Sequence, residues 1–157
     1  MKLSQEIAFE KLKRYCAYQD RCHQEVRTKL IALKIYGDDL EEIIMALIKD
    51  DYLNEERFAQ SFARGKFRLK KWGKNKIKQH LYAKHISAYC IKKGMEEIDD
   101  EDYLETLRAL MHKKIEQRPE LEKLIRKDKA IKYAVSRGFE SGLIFKVVKE
   151  LEEEQGY

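Results

Sequence analysis

Apolar residues recur at helical spacing along nearly the whole chain, and very few residues interrupt them. Among 157 residues there are one proline and seven glycines. These two residue types disfavour helix interiors, whereas Lys, Glu, Leu, Ile and Ala, which are abundant here, are good or tolerable helix formers. The pattern therefore predicts an all-α fold.

Start and stop signals divide this pattern into nine helical segments. Side chains that cap helix N-termini stand at several predicted starts, among them Asp20, Asn54, Ser87 and either Asp99 or Asp100. Pro119 fits the first turn of the eighth segment, where its missing N–H costs nothing. We therefore expect nine helices joined by short turns.

The nine segments fall into three groups of three, and the last two helices of each group share a sequence phrase. Apolar residues five positions apart join these two helices: Leu30 and Ile35, Leu81 and Ile86, and Ala134 and Phe139. A basic residue lies between the members of each pair, Lys34, Lys84 or Arg137. The period of roughly 50 residues predicts three tandem three-helix repeats. We place them at residues 1–53, 54–98 and 99–157. Chance similarity between amphipathic helices is the alternative explanation.

Charge is divided unevenly along the chain. Residues 57–95 contain twelve Lys and Arg and no Asp or Glu, whereas the other residues contain 21 basic and 28 acidic residues, a balance of −7. Like charges this close repel one another unless counterions or a polyanion are present. Phosphate backbones gain from such a surface by releasing condensed counterions. This acid-free segment therefore predicts a nucleic-acid-containing partner.

Eleven residues of the acid-free segment are the candidate nucleic-acid-binding or partner-binding residues. They are Arg57, Arg64, Lys66, Arg68, Lys70, Lys71, Trp72, Lys74, Lys76, Lys78 and Lys84. Trp72 could stack on a base or a sugar, and packing at a helix end is the alternative role for this ring. A solvated basic face that only keeps the protein soluble is the alternative for the whole set.

The sequence carries no pattern that predicts catalysis. Phosphate-cradling glycine loops and dinucleotide fingerprints are absent. His80 and His85 lie five residues apart, which does not place them on one helical face as a zinc helix requires. The three cysteines do not have the spacing of a redox pair. We therefore predict a protein that is not an enzyme and needs no metal or other cofactor.

The location of the protein follows from its hydropathy. No run of about 18 apolar residues is present, so no membrane span is predicted. The first residues carry charges where a secretory signal peptide needs an apolar stretch. Three cysteines without a pairing pattern suggest free thiols in a reducing compartment. We expect a cytoplasmic protein.

Short motifs in residues 50–86 resemble the signature of the RecX family, the regulators of the bacterial recombinase RecA. The matching residues are Tyr52-Leu53-Asn54, Arg57-Phe58-Ala59, Trp72-Gly73-Lys74, Ile77, Leu81, Lys84 and Ile86. Flanking repeats match through Glu25, Lys29, residues 30–35, Lys132 and Arg137-Gly138-Phe139. His85 stands where the middle repeat of the family often has Gly, so this turn is either wider or holds a left-handed histidine. The resemblance covers nearly the whole chain.

The resemblance implies a fold and a function. The fold is three tandem three-helix repeats in an elongated, curved rod. The implied partner is the RecA filament on single-stranded DNA. Family members lie in its groove and limit its ATPase, recombinase and coprotease activities. A monomer is expected, and direct contact with DNA is left open. A stand-alone helical nucleic-acid-binding protein is the second hypothesis.

Overall fold

The computed structural model describes residues 1–156, which form nine α-helices and contain no β-strand. The helices are α1 (Leu3–Tyr18), α2 (His23–Ala32), α3 (Gly37–Lys49), α4 (Glu55–Lys70), α5 (Lys74–Ala83), α6 (Ala88–Met95), α7 (Asp100–Glu116), α8 (Lys123–Ser136) and α9 (Ser141–Gln155). The predicted all-α fold is confirmed. None of the helices within residues 1–156 is both long and apolar enough to cross a membrane.

Three of the predicted helix caps are confirmed. The side chain of Asn54 accepts a hydrogen bond from the Arg57 N–H at 2.8 Å, at the start of α4. Ser87 accepts from the Cys90 N–H at 3.2 Å, and Asp99 accepts from the Asp102 N–H at 3.0 Å. Each cap satisfies one of the N–H groups that the first helical turn leaves without a partner.

The predicted cap at Asp20 is wrong. Helix α2 begins at His23, and the Glu25 side chain accepts a hydrogen bond from the Cys22 N–H at 3.0 Å. The Asp20 carboxylate accepts instead from Arg57 Nε at 2.9 Å and from the Ser61 hydroxyl at 2.6 Å. Both oxygens of the Asp20 carboxylate are therefore used by residues of α4, one of them in a charge-assisted bond to a guanidinium, and Asp20 joins the α1–α2 turn to α4.

The predicted helix start at Pro119 is also wrong. Helix α7 ends at Glu116 and α8 begins only at Lys123. Pro119 lies in a turn that is closed by the Leu121 N–H bonding to the Arg118 carbonyl at 3.1 Å. Proline is tolerated in such turns as readily as in a first helical turn. Its presence therefore does not distinguish a turn from the start of a helix.

The shared phrase of the three groups is confirmed as a repeated turn. Lys34, His85 and Gly138 are all left-handed, with φ of 62°, 60° and 97°. The N–H of the next residue bonds to the carbonyl five residues earlier in each turn: Ile35 to Leu30 at 3.0 Å, Ile86 to Leu81 at 3.1 Å, and Phe139 to Ala134 at 3.1 Å. This is the Schellman ending of a helix. The basic residues assigned to the phrase do not share one position, because Lys34 is itself left-handed whereas Lys84 and Arg137 precede the left-handed residue.

Contacts between residues divide the chain into two compact units. The first unit comprises Met1–Ser61 and Leu81–Gly94, and the second comprises Phe62–His80 and the chain from Met95 onward. Helices α4 and α5 each contribute residues to both units. The repeat boundaries at residues 1–53, 54–98 and 99–157 are not tested by this division and stay a prediction.

Each unit has its own apolar core. In the first unit, Leu12, Val26, Leu30, Ile43 and Leu47 are fully shielded from solvent and join α1, α2 and α3. The second unit buries Tyr103, Leu107, Met111, Phe139 and Ile144, from α7, the α8–α9 turn and α9. Burial of one such side chain contributes about 1.5–3 kcal/mol. The second core packs α7, α8 and α9 together, and α7 and α8 carry part of the candidate site.

Candidate nucleic-acid interface

Lys70 and Lys71 stand at the end of α4, where the helix stops in a left-handed residue. Lys71 has φ of 57°. Its N–H bonds to the Phe67 carbonyl at 3.0 Å, and the Trp72 N–H bonds to the Lys66 carbonyl at 3.2 Å. Cations are favoured at a helix C-terminus, where the macrodipole is negative. The two lysines are therefore held at a defined point on the surface, and both are exposed.

The α4–α5 junction is docked on the α8–α9 turn within the second unit. The Gly73 N–H bonds to the Arg137 carbonyl at 2.8 Å, and the Asn75 N–H bonds to the Gly138 carbonyl at 2.9 Å. A Cβ on Gly73 would lie 2.3 Å from the Gly138 carbonyl carbon. The Arg137 guanidinium also donates to the Lys70 carbonyl. These bonds fix the end of α4 relative to α8.

Tyr103 packs against this junction and forms hydrogen bonds with it. Its ring lies 5.7 Å from that of Phe67 and 5.2 Å from that of Phe139, measured between centroids. Its hydroxyl accepts from the Lys74 N–H at 2.9 Å and donates to Glu140. Burial and the hydrogen bond to Glu140 raise the pKa of Tyr103 well above its usual value. The sequence marks Tyr103 only as an apolar position of α7 and gives no sign of this polar role.

Side chains from α4, α7 and α8 line a groove of about 810 Å³ in the second unit. We call it the α7 groove. Its basic residues are Arg68, Lys70, Lys71, Lys113, Lys114 and Arg137, and its acidic residues are Asp102 and Glu105. Phe67, Ala109 and Leu110 provide apolar surface. Of the predicted residues, the structure therefore brings Arg68, Lys70 and Lys71 together, and it adds α7 and α8 cations that the acid-free segment does not contain.

Trp72 is partly buried and lies against other side chains. Its ring centroid is 4.5 Å from that of His80 and 6.4 Å from that of Phe62. The ammonium groups of Lys66 and Lys76 lie 4.9 and 4.6 Å from the ring centroid, at cation–π distance. The packing alternative therefore has direct support, and stacking by Trp72 stays a prediction.

Three predicted residues are bound by acids from outside the acid-free segment. Arg57 pairs with Asp20 at 2.9 Å and Asp51 at 3.2 Å. Arg64 pairs with Glu97. Lys74 lies 3.6 Å from Asp100 and 4.8 Å from the Tyr103 ring centroid. The charges of these three residues are partly neutralised within the molecule, which the linear sequence did not reveal.

The remaining two predicted residues do not join the α7 groove. Lys78 is a partly buried residue of α5 in the second unit. Lys84, together with Arg57, belongs to the first unit, where Lys84 lies in the turn between α5 and α6. Their participation in binding stays a prediction.

The three cysteine thiols are shielded from solvent. Cys16, Cys22 and Cys90 are free and buried. Burial raises the pKa of the Cys16 and Cys22 thiols, which disfavours the reactive thiolate. Within residues 1–156, no group of three or more His, Cys, Asp or Glu side chains is arranged to hold a metal ion.

Family models and known proteins match this chain over most of its length. The model of the second three-helix domain of RecX matches residues 54–95, and that of the third three-helix domain matches residues 100–148. Together they cover more than half of the chain. Regulatory protein RecX of Oceanobacillus iheyensis is 24% identical over 138 residues, covering 88% of this chain and 51% of the relative. That of Clostridium acetobutylicum is 30% identical over 135 residues, covering 83% and 62%.

Structural similarity agrees with these matches. The crystal structure of RecX from Lactobacillus salivarius superposes with a TM-score of 0.87 at 24% identity, covering 97% of this chain and 99% of that one, which shows a shared fold. The chain spans about half the length of the first curated relatives that it matches. With two of the three-helix domain models matched in order, the chain belongs to the RecX family of regulatory proteins.

Proposed function

We propose that this protein regulates RecA, mainly as an inhibitor. It binds in the groove of the RecA filament on single-stranded DNA and limits the ATPase, recombinase and coprotease activities of that filament. The observation that carries the proposal is the match to the second and third RecX domains. The protein acts by binding, without catalysis, as a monomer in the cytoplasm, and its buried free thiols suit a reducing compartment.

The exposed end of α4 supports this function physically. Arg68, Lys70 and Lys71 are exposed, and none of them has a carboxylate partner among residues 1–156. Such cations are free to bind DNA phosphates or acidic protein surface, both of which a protein–DNA filament offers. Because bonds from Arg137 and Gly73 fix the backbone at this end of α4, little backbone freedom is lost when these three residues bind a partner.

The test is DNA-dependent ATP hydrolysis by the RecA of the same organism. Stoichiometric wild-type protein is expected to inhibit hydrolysis, and the Lys70→Glu/Lys71→Glu variant is expected to inhibit it less. Lys146→Glu/Lys149→Glu makes the same change of charge on the exposed side of α9, so this control should inhibit like the wild type. Undiminished hydrolysis with stoichiometric wild-type protein would contradict the proposal.

The second candidate function is a stand-alone nucleic-acid-binding protein, which the basic side of the α7 groove favours. It requires tight binding without any filament, with a log affinity that falls steeply with log salt. It also requires that replacement of Lys70, Lys71, Lys74 and Lys76 by Glu abolishes that binding. Strong binding without any effect on RecA would favour this function over the first.

A further inference from the structure

We propose that helices α7 and α8 bind single-stranded nucleic acid directly, in a basic channel that continues from the α7 groove along α8. The proposed regulation of RecA does not specify whether this chain or only RecA contacts the strand. The inference rests on that function only for its biological setting, because it can be tested without RecA. It also places the main strand-binding surface on α7 and α8, outside the acid-free segment.

The channel is formed by two grooves that share residues. Beside the α7 groove lies a second groove of about 500 Å³, and the two have Lys114, Gln117 and Tyr133 in common. The second groove is lined by five basic residues and no acidic one: Lys114, Arg118, Arg126, Lys129 and Lys132. The acids of the α7 groove, Asp102 and Glu105, lie in the first two turns of α7, away from the shared residues near its C-terminus. A polyanion is therefore favoured in the part of the channel between Lys113 and Lys132.

Helix stability does not explain this concentration of cations. Lys113 and Lys114 complement the negative end of the α7 macrodipole. Helix α8, however, has no acidic residue in its first turn, and Lys129 lies in its middle, where a cation brings no dipole benefit. Lys129 has no carboxylate partner among the described residues. Lys132 pairs with Asp128 at 2.9 Å and Arg118 pairs with Glu120, and both pairs are exposed. Such pairs contribute little to stability.

An aromatic ring stands where the two grooves meet. Tyr133 is 37% exposed, and the Lys114 ammonium lies 4.6 Å from its ring centroid. Phe67, Ala109 and Leu110 add apolar surface on the α7 side. Aromatic and apolar surface beside cations binds bases that are not already stacked, whichever the base. This combination favours a single strand over a duplex, whose bases are paired, and over an acidic peptide, which would use only the cations.

The first test measures binding of a fluorescently labelled oligothymidylate to the full chain by anisotropy, without RecA. Lys113→Glu/Lys129→Glu reverses two exposed cations of the channel. Lys146→Glu/Lys149→Glu reverses two exposed cations of α9 and is the matched control. The channel variant should bind at least about tenfold more weakly than the control. Its slope of log affinity against log salt should be smaller by about 0.7 for each phosphate that the variant no longer neutralises.

The second test concerns the ring. Tyr133→Ala should weaken binding at least about fivefold, because a stacked base is lost. Tyr133→Phe should bind like the wild type, because the ring remains. An unlabelled duplex of the same length and a glutamate peptide of equal charge should each displace the oligothymidylate less well than unlabelled single strand does. Circular dichroism of every variant should match that of the wild type, since the substituted side chains are not buried.

Four results would overturn the proposed channel. The first is no measurable binding of oligothymidylate by the wild type, and the second is an equal loss of affinity in the channel variant and the α9 control. The third is equal binding by Tyr133→Ala and Tyr133→Phe, and the fourth is displacement of the oligothymidylate by duplex or peptide as strongly as by single strand. These results are independent of RecA. Strand binding in the channel by a protein that does not inhibit RecA would support the channel and overturn the proposed function. Inhibition of RecA by a protein that binds no strand would support the proposed function and overturn the channel.

Discussion

At the scale of single residues, Gly73 and Gly138 allow two backbone segments of the second unit to touch. A Cβ on Gly73 would lie 2.3 Å from the Gly138 backbone, whereas a Cβ on Gly65, in α4, would meet no atom within 4 Å. We expect Gly73→Ala to lower the free energy of unfolding by about 1–3 kcal/mol, the usual cost of overpacking. Gly65→Ala should raise it by up to about 1 kcal/mol, because alanine is the better helix former. Urea unfolding of both variants measures this, and a Gly73→Ala protein as stable as the wild type would contradict the docked junction.

His23 gives the first unit a dependence of stability on pH. Burial lowers the pKa of His23 below its usual value of 6.5, with Glu55 opposing and Arg27 assisting that shift. The unfolded chain therefore binds a proton near pH 6.5 while the folded protein still holds the neutral ring, so stability falls as the pH drops below about 6.5. This loss is at most about 1.4 kcal/mol for each pH unit and ends below the pKa of the folded state.

The corresponding variant is His23→Gln. Between about pH 7.5 and about pH 5.5, its free energy of unfolding should fall less than that of the wild type, because one source of proton uptake is gone. His85→Asn is the control, since His85 is exposed and Asn accepts its left-handed conformation. Urea unfolding at both pH values gives the comparison. Equal losses in the wild type and His23→Gln would show that His23 is not the source.

At the scale of elements, the three Schellman turns have the same geometry but different residues. Gly138 is free of strain at positive φ, whereas Lys34 and His85 carry a Cβ there. An L-residue in this conformation costs about 1–2 kcal/mol, part of which is offset because glycine makes the unfolded chain more flexible. Lys34→Gly and His85→Gly should therefore each raise the free energy of unfolding by up to about 1 kcal/mol.

Thermal or urea unfolding tests this expectation for the turns. Lys29→Gly is the matched control, because it places glycine inside α2, one turn before Lys34, where glycine is a poor helix former. This control should be less stable than the wild type. If Lys34→Gly and Lys29→Gly lost stability equally, the left-handed turn would not be the feature that strains the wild type.

Three helix starts were predictable because the interactions that cap them are local. Asn54, Ser87 and Asp99 each cap an N–H three residues ahead, so a short window of sequence contains both partners. Asp20 was misassigned because its partner, Arg57, lies 37 residues later. A short window of sequence around Asp20 does not include Arg57, so it does not reveal this competing bond.

The candidate site was predictable to a similar degree. The acid-free segment was visible as a composition, and three of its basic residues, Arg68, Lys70 and Lys71, do line the α7 groove. The cations of α7 and α8 that line the groove are distant in sequence from the acid-free segment. No short window of sequence therefore contains both sets. One signal was present: Lys129, Lys132, Tyr133 and Ser136 follow one another at helical spacing and share a face of α8.

At the scale of the whole molecule, the charge pattern of the sequence is not the charge pattern of the surface. Acids outside the acid-free segment hold Arg57, Arg64 and Lys74. Cations of α7 and α8, from a part of the chain with many acids, line grooves that are mostly basic. Folding therefore offsets part of the positive charge of the acid-free segment. It also brings cations of α7 and α8 together on one surface. Net charge alone, +5 for the chain, says little about where a polyanion would bind.

This redistribution gives a prediction about the proposed regulation of RecA. If exposed cations such as Lys70 and Lys71 bind phosphates of the filament, counterions are released, and the protein concentration that half-inhibits RecA must rise steeply with salt. In a log–log plot, Lys70→Glu/Lys71→Glu should show a slope lower by about 0.7 for each phosphate that it no longer neutralises. Lys146→Glu/Lys149→Glu should retain the wild-type slope. ATP hydrolysis by RecA alone at each salt concentration corrects for the salt sensitivity of the recombinase. Equal slopes for both double variants would mean that the end of α4 binds no phosphate, and inhibition would then have to arise from protein–protein contacts.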